Sequence, residues 1–415
     1  MLFDGKHQSC DMTERKHILI ISQYFYPESF RINDISRELV KRGYRVTVVT
    51  GIPNYPEGRF YKGYGLFKRR TENWDGIRII RLPILSRGRS SVRLVLNYYS
   101  FVVSGWFWSH FTRVKADTVF SFETSPMTQV LVGEWYSRRR KLPHCVYVQD
   151  LWPDNLEAVG GVHNRMILQH YQRLSDRLYR NSSVLLATSP SFVEAIRQRL
   201  DSNEKEQEKV RYFPQYAEDC YRPQAREKVP EIPDDARFKI VFTGNIGNAQ
   251  GLEILPKTAR LLREDVCFVI VGSGRSLEKL RAEAADVQDR FLFIDRQAPE
   301  RIPALLAACD VAFVSFMDNP VFRRTIPAKL QSYMACGMPI LASASGETER
   351  VVSEADCGVC CELGNAEALA EGIERLRSAN LSAMGRNALA YAERHFNKAE
   401  LIGQLCSILD PEQPV

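Results

Sequence analysis

The sequence predicts an α/β protein with two doubly wound parallel sheets, and three observations support this fold class. The chain has 415 residues, which exceeds one ordinary core and suits two domains of roughly 200 residues each. Each half begins with an apolar strand that is followed by a loop and a helix. The segment 212–236 between the halves carries four prolines and many charges, as interdomain linkers often do.

The first half opens with a βαβ unit, the building block of parallel sheets. The pattern predicts a strand at residues 17–22 (HILIIS), a helix at 32–42 that ends at Gly43, and a strand at 44–50 (YRVTVVT). Such continuous apolar runs are typical of strands buried on both faces. Further candidate strands lie at 77–82, 118–122, 144–149 and 183–188.

The second half repeats the pattern. Strands are predicted at 238–242 and 267–271, and a glycine-rich loop follows each of them. We expect helices after both loops and a sheet whose carboxyl ends face a cleft between the domains, because ligands of such sheets bind beyond those strand ends. The remaining predicted elements of this half are a helix at 252–263 and strands at 291–294 and 311–315.

The domain boundaries follow from these elements. We predict a disordered N-terminal extension at 1–16, an N-terminal Rossmann-like domain at 17–211, the linker at 212–236, a C-terminal Rossmann-like domain at 237–395, and a C-terminal helix at 396–415 that packs back on the N-terminal domain.

The most informative motif occupies residues 325–341 and reads TIPAKLQSYMACGMPIL. A loop enters a helix that starts near Ala328, and Gly337 suits the left-handed position just past the end of that helix. The unpaired N–H groups of a helix start attract anions, phosphate above all. Lys329 and Arg324 add positive charge at the same place. The motif therefore predicts a binding site for a nucleotide diphosphate.

Two glycine-rich loops, at 244–251 (GNIGNAQG) and 272–275 (GSGR), support this prediction. Glycines let the backbone approach a phosphate closely, and Arg275 brings a cation. A strand–glycine–helix junction also serves turn geometry alone in many α/β proteins. The prediction therefore depends on both loops and the Lys329 helix meeting at one edge of one sheet.

Candidate acceptor-binding residues follow the strands of the first half. Asp150 comes directly after a buried strand, where an aspartate can act as a base, orient a hydroxyl or stabilise a developing cation. The alternative role of Asp150 is to cap the Trp-Pro turn that follows. Glu123 is a second carboxylate at a strand end, and Glu28 and Arg31 lie in the first strand-end loop.

The stretch 84–116 has an unusual composition. Its centre, 94–111 (LVLNYYSFVVSGWFWSHF), is rich in aromatic residues and is flanked by arginines that include Arg93. Its polar residues make it a poor bilayer span. Two interpretations remain open: partial insertion into an anionic membrane surface through Arg93, Trp106, Phe107 and Trp108, or burial of the segment between domains.

Charge and cysteine usage narrow the functional class. Residues 1–200 contain 30 Lys and Arg against 17 Asp and Glu, whereas the remainder contains 26 against 33. A basic half indicates an anionic partner, and no nucleic-acid motif accompanies it. The ten cysteines are scattered, and most lie in apolar segments, which is typical of reduced, buried thiols in a cytosolic protein. The CxxC at 357–360 lacks a second ligand pair, so we interpret it as a strand and expect no metal.

Taken together, these motifs resemble a family of glycosyltransferases. The segments SQYFYPE, GYRVTVVTGIPNYPEG, VQDLWPD, FTGNIGNAQG, VGSG, IPAKLQSYMACGMPI and GETERVVSEADCG are similar to those of retaining family 4 glycosyltransferases of GT-B architecture. The nearest branch is the WbuB-like enzymes, which resemble L-fucosamine transferases of bacterial O-antigen and capsule synthesis. The resemblance implies two Rossmann-like domains, a UDP-sugar donor on the second domain and a polyprenyl-pyrophosphate-linked saccharide acceptor on the first.

The resemblance also implies a site and a location. It implies retention of anomeric configuration, transfer of an N-acetylated amino or deoxy hexose, no metal cofactor, and a cytoplasmic enzyme that is peripheral on the inner face of the plasma membrane. Catalytic roles would fall on Asp150, Lys329 and Arg324. The expected nucleotide-sugar-binding residues are Gly244, Asn245, Gly247, Gly274, Arg275, Gln297, Thr325, Ile326, Lys329, Gln331 and Ser332.

The sequence departs from the family pattern at three places. Arg324 and Ser332 occupy positions where many members carry two glutamates, the second of which grips the ribose, so Gln331 or Ser332 would have to replace it. Asn245 stands where many members place a basic residue, and Gln149 precedes Asp150 where a histidine is common. Two alternatives therefore stay open: a sugar-nucleotide epimerase of the same architecture, and a non-catalytic nucleotide-sugar-binding partner of a membrane complex.

Overall fold

The computed structural model describes residues 16–88, 90–158 and 160–412. The predicted N-terminal extension falls almost entirely outside these residues. The strands are β1 His17–Ile21, β2 Arg45–Thr50, β3 Thr71–Trp74, β4 Ile77–Arg81, β5 Thr118–Glu123, β6 His144–Val148, β7 Val184–Ala187, β8 Val210–Tyr212, β9 Phe238–Asn245, β10 Val266–Ser273, β11 Phe291–Ile294, β12 Val311–Ser315, β13 Ile340–Ser343 and β14 Gly358–Cys361.

Helices connect these strands along both halves of the chain. They are α1 Arg31–Lys41, α2 Ser91–Phe111, α3 Val130–Arg140, α4 Asp154–Ala158, α5 Arg165–Asn181, α6 Pro190–Arg197, α7 Glu204–Glu208, α8 Ile254–Leu261, α9 Leu277–Glu283, α10 Ile302–Ala307, α11 Pro320–Arg323, α12 Ala328–Ala335, α13 Glu347–Glu354, α14 Ala366–Arg377, α15 Leu381–His395 and α16 Lys398–Leu409. Short 3₁₀ turns lie at Met127–Gln129, Asn248–Gln250, Ala285–Arg290 and Pro299–Arg301.

The strands form two sheets. The first has the order β3-β4-β2-β1-β5-β6-β7-β8 and the second the order β11-β10-β9-β12-β13-β14. In the first sheet β1 pairs in parallel with β2 and β5, and in the second sheet β9 pairs in parallel with β10 and β12, whereas β3 pairs with β4 in antiparallel orientation. In each sheet the strand order reverses direction beside the first strand to enter it, which creates the switch point where ligands of doubly wound sheets bind. The predicted fold class is confirmed.

The chain divides into two compact units. The described residues of one unit fall within 1–150, 177–185 and 402–415, and those of the other within 151–176 and 186–401. The C-terminal segment belongs to the first unit, where the hydroxyl of Thr118 donates to the carbonyl of Leu409 and Lys16 forms an ion pair with Asp410. The segment predicted as a linker belongs to the second unit, and its Val229 and Ile232 are buried there.

The core of the second unit covers both faces of the sheet. Alternate residues of one strand point to opposite faces, so Val241 packs in the cluster on one side and Phe242 in the cluster on the other. This alternation explains why its central strands are apolar runs with no polar face. The nine cysteines of the described residues form no disulfide, and six of them are buried. The segment around the CxxC forms β14, as predicted.

Candidate functional site

The second unit brings its two glycine loops together at the carboxyl ends of β9 and β10. The strands pair in parallel register, so that Gly272 lies opposite Gly244 and Ser273 opposite Asn245. Gly272 has φ +147°, and a Cβ atom at this position would overlap the carbonyl oxygen of Gly244. A Cβ at Gly274 would overlap the carbonyl oxygen of Ile246 in the same way. These glycines are therefore needed for the close approach of the loops.

Hydrogen bonds hold the first glycine loop in place. The N–H of Ile246 donates to the carbonyl of Ser273, and the N–H of Ser276 donates to the carbonyl of Ile246. The side chain of Gln250 accepts from the N–H of Gly247, at 3.1 Å. Asn245 and Gly244 remain exposed at the edge of the sheet. The loop thus presents its backbone to solvent in a fixed conformation.

Helix α12 starts where the sequence predicted, at Ala328. Pro327 occupies the N-cap position with extended backbone and offers no side-chain cap. The N–H of Leu330 donates to the carbonyl of Pro327, so the N–H groups of Ala328 and Lys329 are the ones that the open helix start offers to a ligand. Gly337 follows the helix with φ +70°, as its predicted left-handed position requires. The hydroxyl of Tyr333, which is fully buried, accepts from the N–H of Thr243 on β9 at 2.8 Å. This bond fixes α12 against the strand that carries the glycine loop.

Lys329 is the decisive side chain of this unit. Its Nζ atom is shielded from solvent and has no hydrogen-bond or ion-pair partner in the described part of the chain. It lies 3.7 Å from the ring centroid of Phe242, and a Cβ built on Gly244 would be 3.7 Å from it. Burial lowers the pKa of Lys329 to about 7. An anion bound beside the glycine loop would therefore stabilise the charged form of Lys329, which burial disfavours.

Other residues predicted for the donor site lie around α12. Arg324 forms a long ion pair with Asp154 (3.4 Å), so its charge is already partly engaged. The hydroxyl of Thr325 donates to the carbonyl of Val321. Ile326 is buried in the core, so its predicted binding role, which stays a prediction, would fall on its backbone.

The positions that would have to replace the ribose-binding glutamate differ from one another. The hydroxyl of Ser332 donates to the carbonyl of Ala328 inside the helix, so it is directed away from a ligand. Gln331 is buried, and neither polar atom of its amide has a partner among the described residues. Gln331 is therefore the better candidate of the two. Arg275 is exposed, and the side chain of Gln297 bonds to the carbonyl of Asp295.

In the first unit, Asp150 follows β6 at the carboxyl edge of the sheet. One of its carboxylate oxygens accepts from both the N–H and the hydroxyl of Ser125, at 2.8 and 2.7 Å. Ser125 itself follows β5, so two adjacent strand ends fix the position of this carboxylate. Glu123 is buried at the end of β5, and Arg31 begins α1.

Glu28 is more buried than its predicted position in a strand-end loop indicates. Its carboxylate is 2% exposed and accepts from the N–H groups of Asn54 and Tyr55, both at 2.6 Å. Burial raises the pKa of Glu28 to about 7, although these N–H groups oppose the shift. The geometry therefore makes Glu28 a clamp between the loop after β1 and the loop after β2.

The sequence analysis missed a cluster beside these loops. Arg87 donates to the hydroxyl of Tyr24 at 3.1 Å and lies over the ring of Tyr55, 5.1 Å from its centroid. A hydrogen bond joins the hydroxyls of Tyr24 and Tyr98. The SQYFYPE motif contains Tyr24 but gives no signal for Arg87, which lies 63 positions further along the chain.

Helix α2 exposes many of its apolar side chains to solvent, whereas a helix that packs on a domain core usually buries them. Its buried face has Asn97, Phe101, Gly105 and Ser109 at four-residue spacing. A Cβ at Gly105 would overlap Val132, so this face packs tightly on α3. The opposite face exposes an apolar stripe, which we call the α2 stripe: Val92, Val95, Leu96, Tyr99, Val103, Trp106, Phe107 and Phe111.

The structure corrects one of the residues predicted to contact a membrane. Trp106 and Phe107 are 41% and 55% exposed, in agreement with the predicted contact. Trp108 instead turns inwards and stacks on Tyr136, with a centroid distance of 5.5 Å. Arg93 is exposed in the first turn of α2, and its stem packs on Gly88. Within the described residues, no helix has both the length and the apolar character needed to cross a bilayer.

Comparison with known protein families agrees with this architecture. Residues 29–214 match the family described as glycosyl transferase 4-like domain, and residues 237–379 match the family described as glycosyl transferases group 1. The chain is a glycosyltransferase of the GT-B fold. The WbuB-like branch is not among the relatives described below, so the finer family assignment stays a prediction.

Two bacterial relatives have similar sequences. The chain is 26% identical over 416 residues to WcaI of Escherichia coli K12, which is named as a glycosyl transferase of colanic acid biosynthesis, covering 93% of this chain and 98% of WcaI. It is also 26% identical over 249 residues to a protein of Pseudomonas aeruginosa named as glycosyltransferase WbjE, covering 57% of this chain and 60% of WbjE.

Solved structures confirm the fold of the glycosyltransferase. Sucrose-phosphate synthase from Thermosynechococcus elongatus superposes with a TM-score of 0.72 at 18% identity, covering 95% of this chain and 98% of that one. Anabaena HepE in complex with UDP-glucose gives 0.68 at 16% identity, covering 96% and 100%. WaaG, described as involved in lipopolysaccharide biosynthesis, gives 0.66 at 15% identity, covering 95% and 99%.

Proposed function

We propose that this glycosyltransferase moves a hexose, an N-acetylated amino or deoxy sugar, from a UDP-sugar to a lipid-linked saccharide in the synthesis of a bacterial surface polysaccharide. The observation that carries the proposal is the unpaired Nζ of Lys329 beside Gly244 and the start of α12. A diphosphate supplies the anion that this group lacks. The UDP-glucose complex of HepE and the names of WcaI and WaaG support the donor and the pathway.

The proposed chemistry follows from where charge develops. As the bond between the sugar and the diphosphate of the donor breaks, negative charge grows on the departing diphosphate. The Nζ of Lys329 is shielded from solvent, and the N–H groups of Ala328 and Lys329 are fixed by the start of α12. Donors fixed in advance can be worth about 3–4 kcal/mol each in the transition state. We assign a metal no role, because these groups supply the positive charge. Arg324 would also stabilise this charge once its ion pair with Asp154 is broken and its guanidinium binds the phosphate instead.

Asp150 has the corresponding role in the acceptor-binding unit. Ser125 holds one carboxylate oxygen by two hydrogen bonds, which fixes the orientation of the group. We assign Asp150 the positioning of the acceptor hydroxyl and stabilisation of the positive sugar ring. Retention of configuration is part of this proposal and is tested by the anomeric form of the product.

The α2 stripe supports a membrane-bound acceptor. Monomeric soluble proteins rarely expose a continuous apolar stripe along a 21-residue helix, and such surfaces mark interaction sites. The stripe ends in cationic residues, Arg93 at one end and Arg113 at the other, which favour an anionic membrane surface. We therefore propose that the enzyme is peripheral on the cytoplasmic face of the plasma membrane.

The decisive experiment for activity measures UDP release from a panel of UDP-sugars. We expect release that depends on added lipid-linked saccharide. Isomerisation of the donor without an acceptor would indicate an epimerase instead. Binding of UDP with no turnover on any acceptor would indicate a non-catalytic partner.

Membrane binding is tested separately, by co-sedimentation with vesicles that contain phosphatidylglycerol. Phe107→Ser should reduce binding, whereas Leu261→Ser, which removes a similarly exposed apolar side chain (53%) on α8, should not. Equal binding of both variants and the wild-type protein would contradict the membrane role of the stripe.

A further inference from the structure

A short loop of the first unit exposes apolar side chains at its tip. We call residues 61–70 (YKGYGLFKRR), which precede β3, the Phe67 loop. Phe67 is 95% exposed, and its neighbour Leu66 is 43% exposed. The N–H of Lys68 donates to the carbonyl of Gly65 at 3.2 Å, which places both side chains at the centre of a four-residue turn. Such positions usually hold Gly, Pro, Asn, Asp or Ser, so turn geometry gives no reason for Leu and Phe here.

The fold fixes the base of the Phe67 loop. The guanidinium of Arg70 donates to the carbonyls of Leu66 and Arg81, at 2.9 and 2.6 Å. The ring of Tyr64 packs against the core of the first unit, and its centroid lies 4.9 Å from the guanidinium carbon of Arg81. The tip is therefore presented outwards on a fixed base, which reduces the conformational entropy lost when a partner covers it.

The Phe67 loop is also strongly cationic. Residues 58–71 contain five Lys and Arg and no Asp or Glu. Lys62, Lys68 and Arg69 are exposed, and no carboxylate within 16–88, 90–158 and 160–412 forms an ion pair with them. Charges of one sign around an apolar tip indicate a partner that carries negative charge.

A groove connects the Phe67 loop with the α2 stripe. It has a volume of about 630 Å³ and lies in the first unit. Its lining joins Arg70, the last residue of the loop, to apolar and polar residues of α2: Leu96, Tyr99, Ser100, Val103, Ser104 and Phe107. Helix α2 itself contains no Asp or Glu. An apolar surface with cations around it therefore continues from the helix to the loop.

We propose that the Phe67 loop is a second membrane anchor of this enzyme, with Phe67 among the acyl chains and Lys62, Lys68 and Arg69 on the phosphates of anionic phospholipids. The surface of an anionic bilayer offers both properties that the loop requires, a layer of negative charge and hydrocarbon beneath it. It also covers a turn tip and a 21-residue helix without the shape complementarity that a protein partner would need.

This inference rests on the membrane location in the proposed function and extends it. A protein that touches a membrane through one helix can still rotate about the axis of that helix. A second anchor beside the helix removes this rotation. The Phe67 loop therefore sets the orientation of the first unit on the membrane, and with it the distance between Asp150 and the lipid surface.

The first test measures binding of the purified full-length protein to vesicles of phosphatidylcholine with and without phosphatidylglycerol. Phe67→Ser should weaken binding to both kinds of vesicle about tenfold, because an aromatic side chain no longer leaves water, whereas Phe67→Leu should retain most of the affinity. Thermal unfolding and UDP binding should not change, because the side chain is 95% exposed. Wild-type vesicle binding of Phe67→Ser would overturn the proposal.

The cations are tested with a double variant, Lys62→Gln with Lys68→Gln. It should bind vesicles that contain phosphatidylglycerol about tenfold more weakly and bind phosphatidylcholine vesicles as the wild-type protein does. The matched control is Lys205→Gln with Lys257→Gln, which removes two exposed lysines from the second unit. An equal loss in the control would show that net charge alone matters and would overturn the assignment of the loop lysines.

Insertion of the tip is measured with phospholipids that carry bromine on their acyl chains and quench tryptophan fluorescence. Phe67→Trp should show more quenching than the wild-type protein, whereas Leu261→Trp, at an exposed position (53%) on α8, should not. Quenching of Phe67→Trp at the wild-type level would place the tip outside the hydrocarbon and overturn the proposal.

The remaining outcomes separate this inference from the proposed function. Loss of vesicle binding in Phe107→Ser but not in Phe67→Ser would overturn the second anchor and leave the membrane role of the α2 stripe in place. Absence of vesicle binding in the wild-type protein would refute both membrane assignments, while UDP release would still test sugar transfer. Self-association that Phe67→Ser abolishes, with vesicle binding unchanged, would show that a second copy of the chain covers the loop and would also overturn the proposal.

Discussion

Replacing Lys329 by methionine should stabilise the protein and abolish UDP binding at the same time. Most substitutions that weaken ligand binding leave the stability of the protein unchanged or reduce it. Here the two effects should have opposite signs, because the ammonium is buried without a partner in the absence of ligand. Methionine matches the length of lysine and carries no charge, so it can remain packed against Phe242.

The size of the effect follows from the pKa of Lys329. Burial lowers the pKa from 10.5 to about 7. At about 1.4 kcal/mol per pKa unit, keeping the group charged inside the fold costs about 4–5 kcal/mol. Methionine loses the attraction between the ammonium and the ring of Phe242, so we expect a net gain of about 2–4 kcal/mol at pH 7. For a unit of this size the unfolding midpoint should rise by about 5 °C or more.

The gain should depend on pH in a defined direction. In the unfolded chain Lys329 keeps its proton up to its ordinary pKa of 10.5, whereas in the folded protein it loses the proton near pH 7. Between these values the unfolded state binds more protons, so wild-type stability rises with pH. The advantage of Lys329→Met is therefore complete below pH 7 and shrinks as the pH rises towards 10.5.

The assay pairs thermal unfolding with calorimetric titration of UDP. Lys257→Met is the control, because Lys257 is an exposed lysine on α8 and its replacement should alter neither measurement. At pH 8 the wild-type protein should take up close to one proton on binding UDP, seen as a dependence of the binding enthalpy on the buffer. Destabilisation of Lys329→Met, or UDP binding without proton uptake, would refute the reasoning.

Three further predictions concern other parts of the structure. Gly272→Ala should destabilise the second unit by at least about 3 kcal/mol and abolish UDP binding, because its Cβ overlaps the carbonyl of Gly244. In the control Gly403→Ala the new Cβ lies inside α16 and meets nothing within 4 Å, so thermal unfolding should show no loss of stability, and a gain of up to about 1 kcal/mol, with UDP binding unchanged. Asp150→Asn should reduce transfer about a hundredfold or more in a UDP-release assay while UDP affinity stays unchanged, and equal turnover would remove its catalytic role. Between pH 4.5 and about 7 the folded wild-type protein binds more protons than the unfolded chain, because the pKa of Glu28 is raised, so its stability should fall by up to about 3 kcal/mol as the pH rises through this range. Glu28→Gln should not show this fall. Identical pH profiles of chemical unfolding for the two proteins would contradict this prediction.

Much of the second unit was predictable from its sequence. Strands β11 and β12 have the predicted bounds, and α12 begins at the predicted residue. These elements are apolar runs or have a proline at one end and a glycine at the other, which are strong local signals. Strands β3 and β8, by contrast, were missed, because TENW and VRY are short edge segments with charged residues and no apolar pattern.

The parts of the candidate site that are formed by local backbone structure were predictable from the sequence. The parts that depend on contacts between side chains far apart in the sequence were not. The sequence located Lys329 and the glycine loops, since each follows a strand of one sheet. It could not show that Nζ lacks a partner, that Glu28 clamps a loop 26 residues away, or that Arg87 meets Tyr24. Trp108 was misassigned because helix phase places it on the face with Phe101 and Gly105, while Trp106 and Phe107 point outwards.

The exposed apolar side chains of the α2 stripe have a practical consequence for work with the purified enzyme. With a row of aromatic and aliphatic groups exposed to water, two molecules in dilute buffer can bury these rows against each other. Sedimentation should then show concentration-dependent self-association that a mild detergent reverses. If the α2 stripe binds the membrane as proposed, activity measured in buffer without micelles or vesicles would be underestimated, because another copy would cover the stripe.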